Sequence, residues 1–156
     1  MYGHRQTNDA YQAARSSGFP RSFANRALWG PVLCLAAARW SIEDPQFEDL
    51  ISDVVDRAGH ARGRALLTQA QGLRALRGGA LARAEQLLFD ATQAFATLRL
   101  EHDRVVALAD HARVLAARGH GGEADRELDE VRAVAERLGA TALVAEVGQL
   151  RAPRLE

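Results

Sequence analysis

Two histidine–aspartate doublets, His102-Asp103 and Asp110-His111, are the residues whose types and spacing come nearest to chemistry. An imidazole beside a carboxylate can hold a divalent cation, and a bound cation acidifies its water into a nucleophile. Such a site needs further ligands from other segments, and the sequence offers no convincing set. His102 falls at an expected helix start and His120 in an expected turn, both ordinary places for a solvated imidazole. His111 falls on the helix face that meets the preceding unit, where a core histidine with one satisfied hydrogen bond is the commoner use. Gly119, Gly121 and Gly122 precede a helix N-terminus, a place that attracts phosphate. A phosphate loop also needs a strand before it and, in one kind, a lysine after it, and both are missing. Cys34 has no second cysteine to pair with and lies in an apolar helical stretch, where a thiol behaves as a small buried hydrophobe. The residues therefore predict no catalytic group, no metal and no cofactor.

The remaining chemistry is that of arginine. All 20 basic residues are Arg, balanced by 20 acidic ones, so no net field draws the chain to nucleic acid or to an anionic membrane. Arginine suits bidentate recognition of carboxylate and phosphate, although a GC-rich genome explains its abundance as simply as it explains the Ala and Gly. Ala and Leu supply most of the 47% hydrophobic content, and aromatics reach 6%. That mixture favours helix over sheet, and 156 residues suffice for a core without a disulfide or metal staple. The polar start MYGHRQTNDAYQ lacks the apolar stretch of a secretion signal, and the apolar run around Ala27 to Ala38 is short and interrupted by Gly30-Pro31. A cytoplasmic location with no membrane span is expected.

Positioning these side chains falls to helices that repeat. A shift of about forty residues lays Ala84 on Ala124, Leu88 on Leu128, Ala91 on Val131, Ala94 on Val134, Leu98 on Leu138 and Gly79 on Gly119. A weaker shift brings Ile51, Val54, Val55 and Ala58 under Ala91, Ala94, Phe95 and Leu98. Apolar residues such as Phe47, Leu50, Ile51, Val54, Val55 and Ala58 follow helical spacing. Asp44-Pro45 opens a helix, and Gly59, Gly119 and Gly139 sit where helices end. Helices are predicted at about 8–16, 23–39, 45–58, 61–77, 81–98, 102–118, 122–138 and 141–151. The expected class is all-α, with antiparallel helix hairpins stacked as a short solenoid. One domain over 1–156 would comprise an N-terminal segment (1–22), a divergent repeat (23–60), repeats at 61–100 and 101–140, and a capping helix (141–151).

Gly72, Ala84 and Ala91, and again Ala112, Ala124 and Val131, keep the small-residue intervals of the tetratricopeptide repeat. The chain resembles that family, best over residues 61 to 140. It departs from the pattern in a period longer than the usual ~34 residues and in carrying Thr68 and Leu108 where large aromatics are common. The long-period units, in phrases such as ALARAEQLLFDATQAFATL and EADRELDEVRAVAERLGA, look like the helical arrays of bacterial transcription regulators and signalling ATPases. The resemblance implies a short right-handed superhelix, with the first helix of each pair lining a concave surface that binds a peptide or protein.

By register, Gln69, Leu73 and Arg77 in one unit and Asp110, Arg113 and Ala117 in the next would line that surface, Arg77 and Arg113 being able to clamp a carboxylate. In the N-terminal third, Phe19, Phe23, Trp29, Trp40 and Phe47 concentrate the bulky aromatics, and Phe19, Phe23, Trp29 and Trp40 are the candidate interface, for a protein partner or a second copy of the chain. The expected function is a non-catalytic protein- or peptide-binding module, the sensor or adaptor segment of a bacterial regulatory protein. One alternative is a small helical metal-dependent hydrolase using His102, Asp103 and His111, since His102-Asp103 is similar to the doublet of metal-dependent phosphohydrolases. Another is a purely structural segment of a longer signalling protein.

Overall fold

A computed structural model describes residues 2–17 and 23–151. These form eight α-helices: α1 (Tyr2–Ser17), α2 (Phe23–Arg39), α3 (Pro45–Ala58), α4 (Ala61–Arg77), α5 (Leu81–Thr97), α6 (Glu101–Ala117), α7 (Gly121–Leu138) and α8 (Thr141–Arg151). Among the described residues there is no strand, and no helix is long and apolar enough to cross a membrane. Seven helices fall within about a residue of the predicted bounds. The first begins earlier than the expected 8–16, because the polar stretch before residue 8 carries no apolar stripe by which a helix start can be read.

A single turn, used repeatedly, sets the lengths. The N–H groups of Ile42, His60, Ala80, Leu100, His120 and Ala140 each donate to the carbonyl five residues earlier, at 2.8 to 3.1 Å. This bond closes the Schellman turn, which requires the residue before it to be left-handed. Ser41, Gly59, Gly79, Arg99, Gly119 and Gly139 all have positive φ, between 57° and 85°. From His60 onward the turns fall every twenty residues, so the forty-residue period is two helix-and-turn units. Each of α4, α5 and α6 is 17 residues long, about 25 Å at the α-helical rise. Glycine takes the left-handed position in four of the last five turns, and Arg99 holds the other against steric preference.

From α2 onward every helix packs against the next in sequence, and α2 against α4, α4 against α6 and α6 against α8 also touch. The helices α3, α5 and α7 make no such contact with one another. Small residues let the layers approach. Ala84, Ala91, Ala112, Ala124 and Val131 are all buried, and Gly72 lies so close to α5 that a Cβ there would stand 2.6 Å from Leu88 Cγ. The α1 helix is held on α2 and α3 by Tyr11, which is fully buried with its ring edge-on to Phe47 at 6.3 Å. Arg15 adds an ion pair to Asp44 at 2.6 Å and lies over the Phe47 ring.

Two substitutions separate packing from backbone conformation. Gly72→Ala is expected to destabilise the fold by about 1–3 kcal/mol through overpacking against Leu88, despite alanine's helix preference of about 1 kcal/mol over glycine. Arg99→Gly is expected to stabilise it by about 0.5–1 kcal/mol by relieving a left-handed residue. Urea unfolding midpoints check both, and a stabilised Gly72→Ala would refute the close crossing.

Candidate functional site

Asp110, on α6, is 0% exposed, and its burial organises the site. A carboxylate taken out of water is tolerated only with a counter-charge and hydrogen-bond donors. Arg39, at the end of α2, supplies the charge, donating from Nη1 to Oδ1 at 3.2 Å and from Nη2 to Oδ2 at 2.8 Å. Gln69, on α4 and also buried, donates from Nε2 to Oδ2 at 2.8 Å. Three alternate helices are thereby joined at one carboxylate. A fourth group, Arg113 Nη1, stands 3.9 Å from Oδ1, too far for a hydrogen bond.

This arrangement corrects the expectation that Gln69, Leu73 and Asp110 face a groove as free contacts. All three are buried, because α2, α4 and α6 touch directly and cover the middle of that face. The expected residues reach solvent only toward the helix C-termini, where Arg77 is exposed and Arg113 half-buried. There a cavity of about 370 Å³ opens between the ends of α2, α4 and α6. Arg39, Arg77 and Arg113 line it with Ala38, Ser41, Leu73 and Leu76. Arg77 donates to the Ala38 carbonyl and Arg113 to the Glu146 carboxylate of α8. The Nε of Arg113 is buried with no hydrogen-bond partner among the described residues. Arg113 also borders a second cavity, of about 310 Å³, walled by Ala112, Ala116, Ala117, Leu128 and Leu150. Arg39 escaped the sequence reading, since its partner lies 71 residues away and no local pattern signals the pair.

The histidine–aspartate residues do not converge on one site, although His102 Nδ1 stands 4.0 Å from Asp103 Oδ1. His102 is solvent-exposed, and Asp103 receives Arg62 from α4 at 2.8 and 3.4 Å, a bond that also raises the Arg62 pKa. His111 is buried and donates from Nδ1 to both oxygens of Glu127 on α7, at 3.0 and 2.9 Å, with Phe89 beside it. Among the described residues no three His, Cys, Asp or Glu side chains are grouped to hold a metal ion.

Of the candidate interface aromatics, Phe23, Trp29 and Trp40 are exposed, Trp29 by 53%. Phe19 lies outside the described residues, and Phe47 is in the core. Cys34 is buried, and burial, helped by the Glu48 and Asp44 carboxylates and opposed by Arg74, pushes its thiol up to about 12.

Asp110→Leu is expected to cost about 3 kcal/mol by stranding Arg39, whose side chain is only 28% exposed. Adding Arg39→Met is expected to restore at least half of the loss, as measured by chemical denaturation; a double variant no better than the single would refute the pairing. Because the folded Cys34 pKa lies above its unfolded value, the thiol's contribution is fully present below pH 9 and is lost as the pH rises toward about 12. At pH 8 a disulfide reagent should leave native Cys34 unmodified and label it only after denaturant is added.

Compared with protein-family models, with curated proteins and with solved structures, the chain shows no match in any of the three.

Proposed function

We propose that this chain is a non-catalytic binding module that holds a peptide or protein segment on the face made by α2, α4 and α6, as the cytoplasmic sensor or adaptor segment of a bacterial regulatory protein. The observation that carries this reading is the cavity lined by Arg39, Arg77 and Arg113. A guanidinium stays charged at any physiological pH, so it serves recognition and positioning rather than proton transfer. The same reading takes the fold as a short right-handed tetratricopeptide-like superhelix. Direct contact along α2, α4, α6 and α8, without contact among α3, α5 and α7, supports it, since closer spacing on one layer bends a stack toward that side.

The metal-hydrolase alternative has less support, because the Asp103 carboxylate is engaged by Arg62 and the His111 Nδ1 by Glu127. Exposed Phe23 and Trp29 on α2 and Trp40 just after it offer further contacts for a protein partner, a second copy of the chain included.

A pool of random heptapeptides, half with free and half with amidated C-termini, tests the proposal by titration into ¹⁵N-labelled protein. Saturable shifts in the micromolar to millimolar range are expected at the C-terminal ends of α2, α4 and α6. Shifts confined to α3, α5 and α7, or no saturable response, would overturn it.

A further inference from the structure

We propose that the two cavities meeting at Arg113 form one composite site for a monocarboxylate carried on a short apolar body. This deepens the binding-module reading, on which it rests, by giving its cavity a ligand chemistry.

Charge fixes the headgroup. Three guanidiniums line or reach the first cavity, and two carboxylates answer them, Asp110 through Arg39 and Glu146 through Arg113. One positive charge is left over. Neither cavity has an acidic side chain among its lining residues, since Asp110 lies wholly behind the arginines. A single carboxylate completes the balance, whereas a phosphate dianion would reverse it.

Unused donors fix the position. Arg39 spends two N–H groups on Asp110 and Arg77 one on the Ala38 carbonyl, of five each. Arg113 gives one to Glu146, stands off Asp110 at 3.9 Å, and keeps its buried Nε without a partner. The terminal N–H groups that Arg39, Arg77 and Arg113 leave over at the cavity wall are the ones a ligand carboxylate would engage.

Shape fixes the body. The second cavity, which shares Arg113 with the first, presents alanine methyls and two leucines. At about 370 and 310 Å³, each cavity lies near the lower end of the ~300–1,000 Å³ range of ligand pockets, so the pair accommodates a small amphiphile. A free organic acid and the last residue of a peptide share this chemistry.

The test is titration of ¹⁵N-labelled protein with 4-methylpentanoate, following the Arg113 Nε–H resonance. Saturable movement of that signal is expected, with affinity at least ~10-fold weaker for 4-methylpentanamide, which lacks the charge, and for acetate, which lacks the apolar body. Arg113→Gln should weaken binding ~10-fold. Because that variant also removes the Glu146 pair, Ala116→Glu on an exposed position gives a second probe; its carboxylate in the apolar cavity should abolish binding while the helical circular dichroism is unchanged. Acetyl-Gly-Gly-Leu as free acid and as amide shows whether a peptide end enters the same site, a stronger response to the acid supporting the assignment and an equal response opposing it. Equal affinity for 4-methylpentanoate and its amide, or displacement by equimolar inorganic phosphate, would overturn the proposal. If random peptides bind this face irrespective of their C-terminus while 4-methylpentanoate does not, the composite site fails and the binding module stands.

Discussion

The buried carboxylate of Asp110 is the constraint from which the site follows. Left alone in the interior it would be untenable, so α6 can pack where it does only if a cation and a donor arrive from other helices. Arg39 and Gln69 arrive from α2 and α4. Meeting at one carboxylate fixes how far each of these helices can slide along its axis, because a shift of one turn, about 5.4 Å, would part the donors from the acceptor. Hydrophobic contact does not impose that condition, since Ala and Leu surfaces repeat along the axis and tolerate alternative registers. The ion pair thus supplies specificity at a point where packing supplies mainly stability.

Register alone would not bring the helix ends together unless the helices were also of matched length, and the twenty-residue turn provides this. From His60 onward each Schellman turn closes after the same number of residues, so α4, α5 and α6 end at equal distances from their starts. Alternate helices run in the same direction, and their C-termini gather at one edge. Arginines near those termini suit the negative end of the helix dipole and the carbonyls gathered there, as Arg77 shows by donating to Ala38. Grouping three of them around a cavity is therefore an outcome of local helix-end chemistry repeated at matched length.

Much of this was legible in the sequence. The small residues at Gly72, Ala84, Ala91, Ala112, Ala124 and Val131 sit at buried crossings, because a close approach of two helices leaves its mark directly as missing side-chain volume. Turn positions were legible for the same reason, glycine being the signature of a left-handed residue; Arg99 and Ser41 carry the same conformation without the signature. The burial of Gln69 and Asp110 was not legible. Helical periodicity assigns residues to a face, and whether that face meets solvent or another helix is decided by the spacing of alternate helices, which no local pattern encodes. Tyr11 was missed in the same way, since a single aromatic in a polar segment gives no stripe, yet it buries itself between α2 and α3.

The choice of arginine as the sole basic residue acquires a structural use in this light. Across neighbouring helices Arg62 meets Asp103, Arg74 meets Glu48, Arg104 meets Glu130 and Arg113 meets Glu146. Pairs that stay partly open to solvent contribute modestly, on the order of 1 kcal/mol each, so they do not by themselves explain why the helices associate. Their effect is on the distribution of charge: they match cations to anions locally, which is how a neutral chain can still hold a polar surface without a net field. Against that even background the end of the α2, α4 and α6 layer differs, because three guanidiniums share two carboxylates and one of those is fully buried. A lysine at these positions would hold its charge as a hydrated point, whereas the planar fork of arginine can face Asp110 with one edge and keep its remaining N–H groups for the cavity. The Arg39 side chain thereby ties the fold together on one side and lines the cavity on the other.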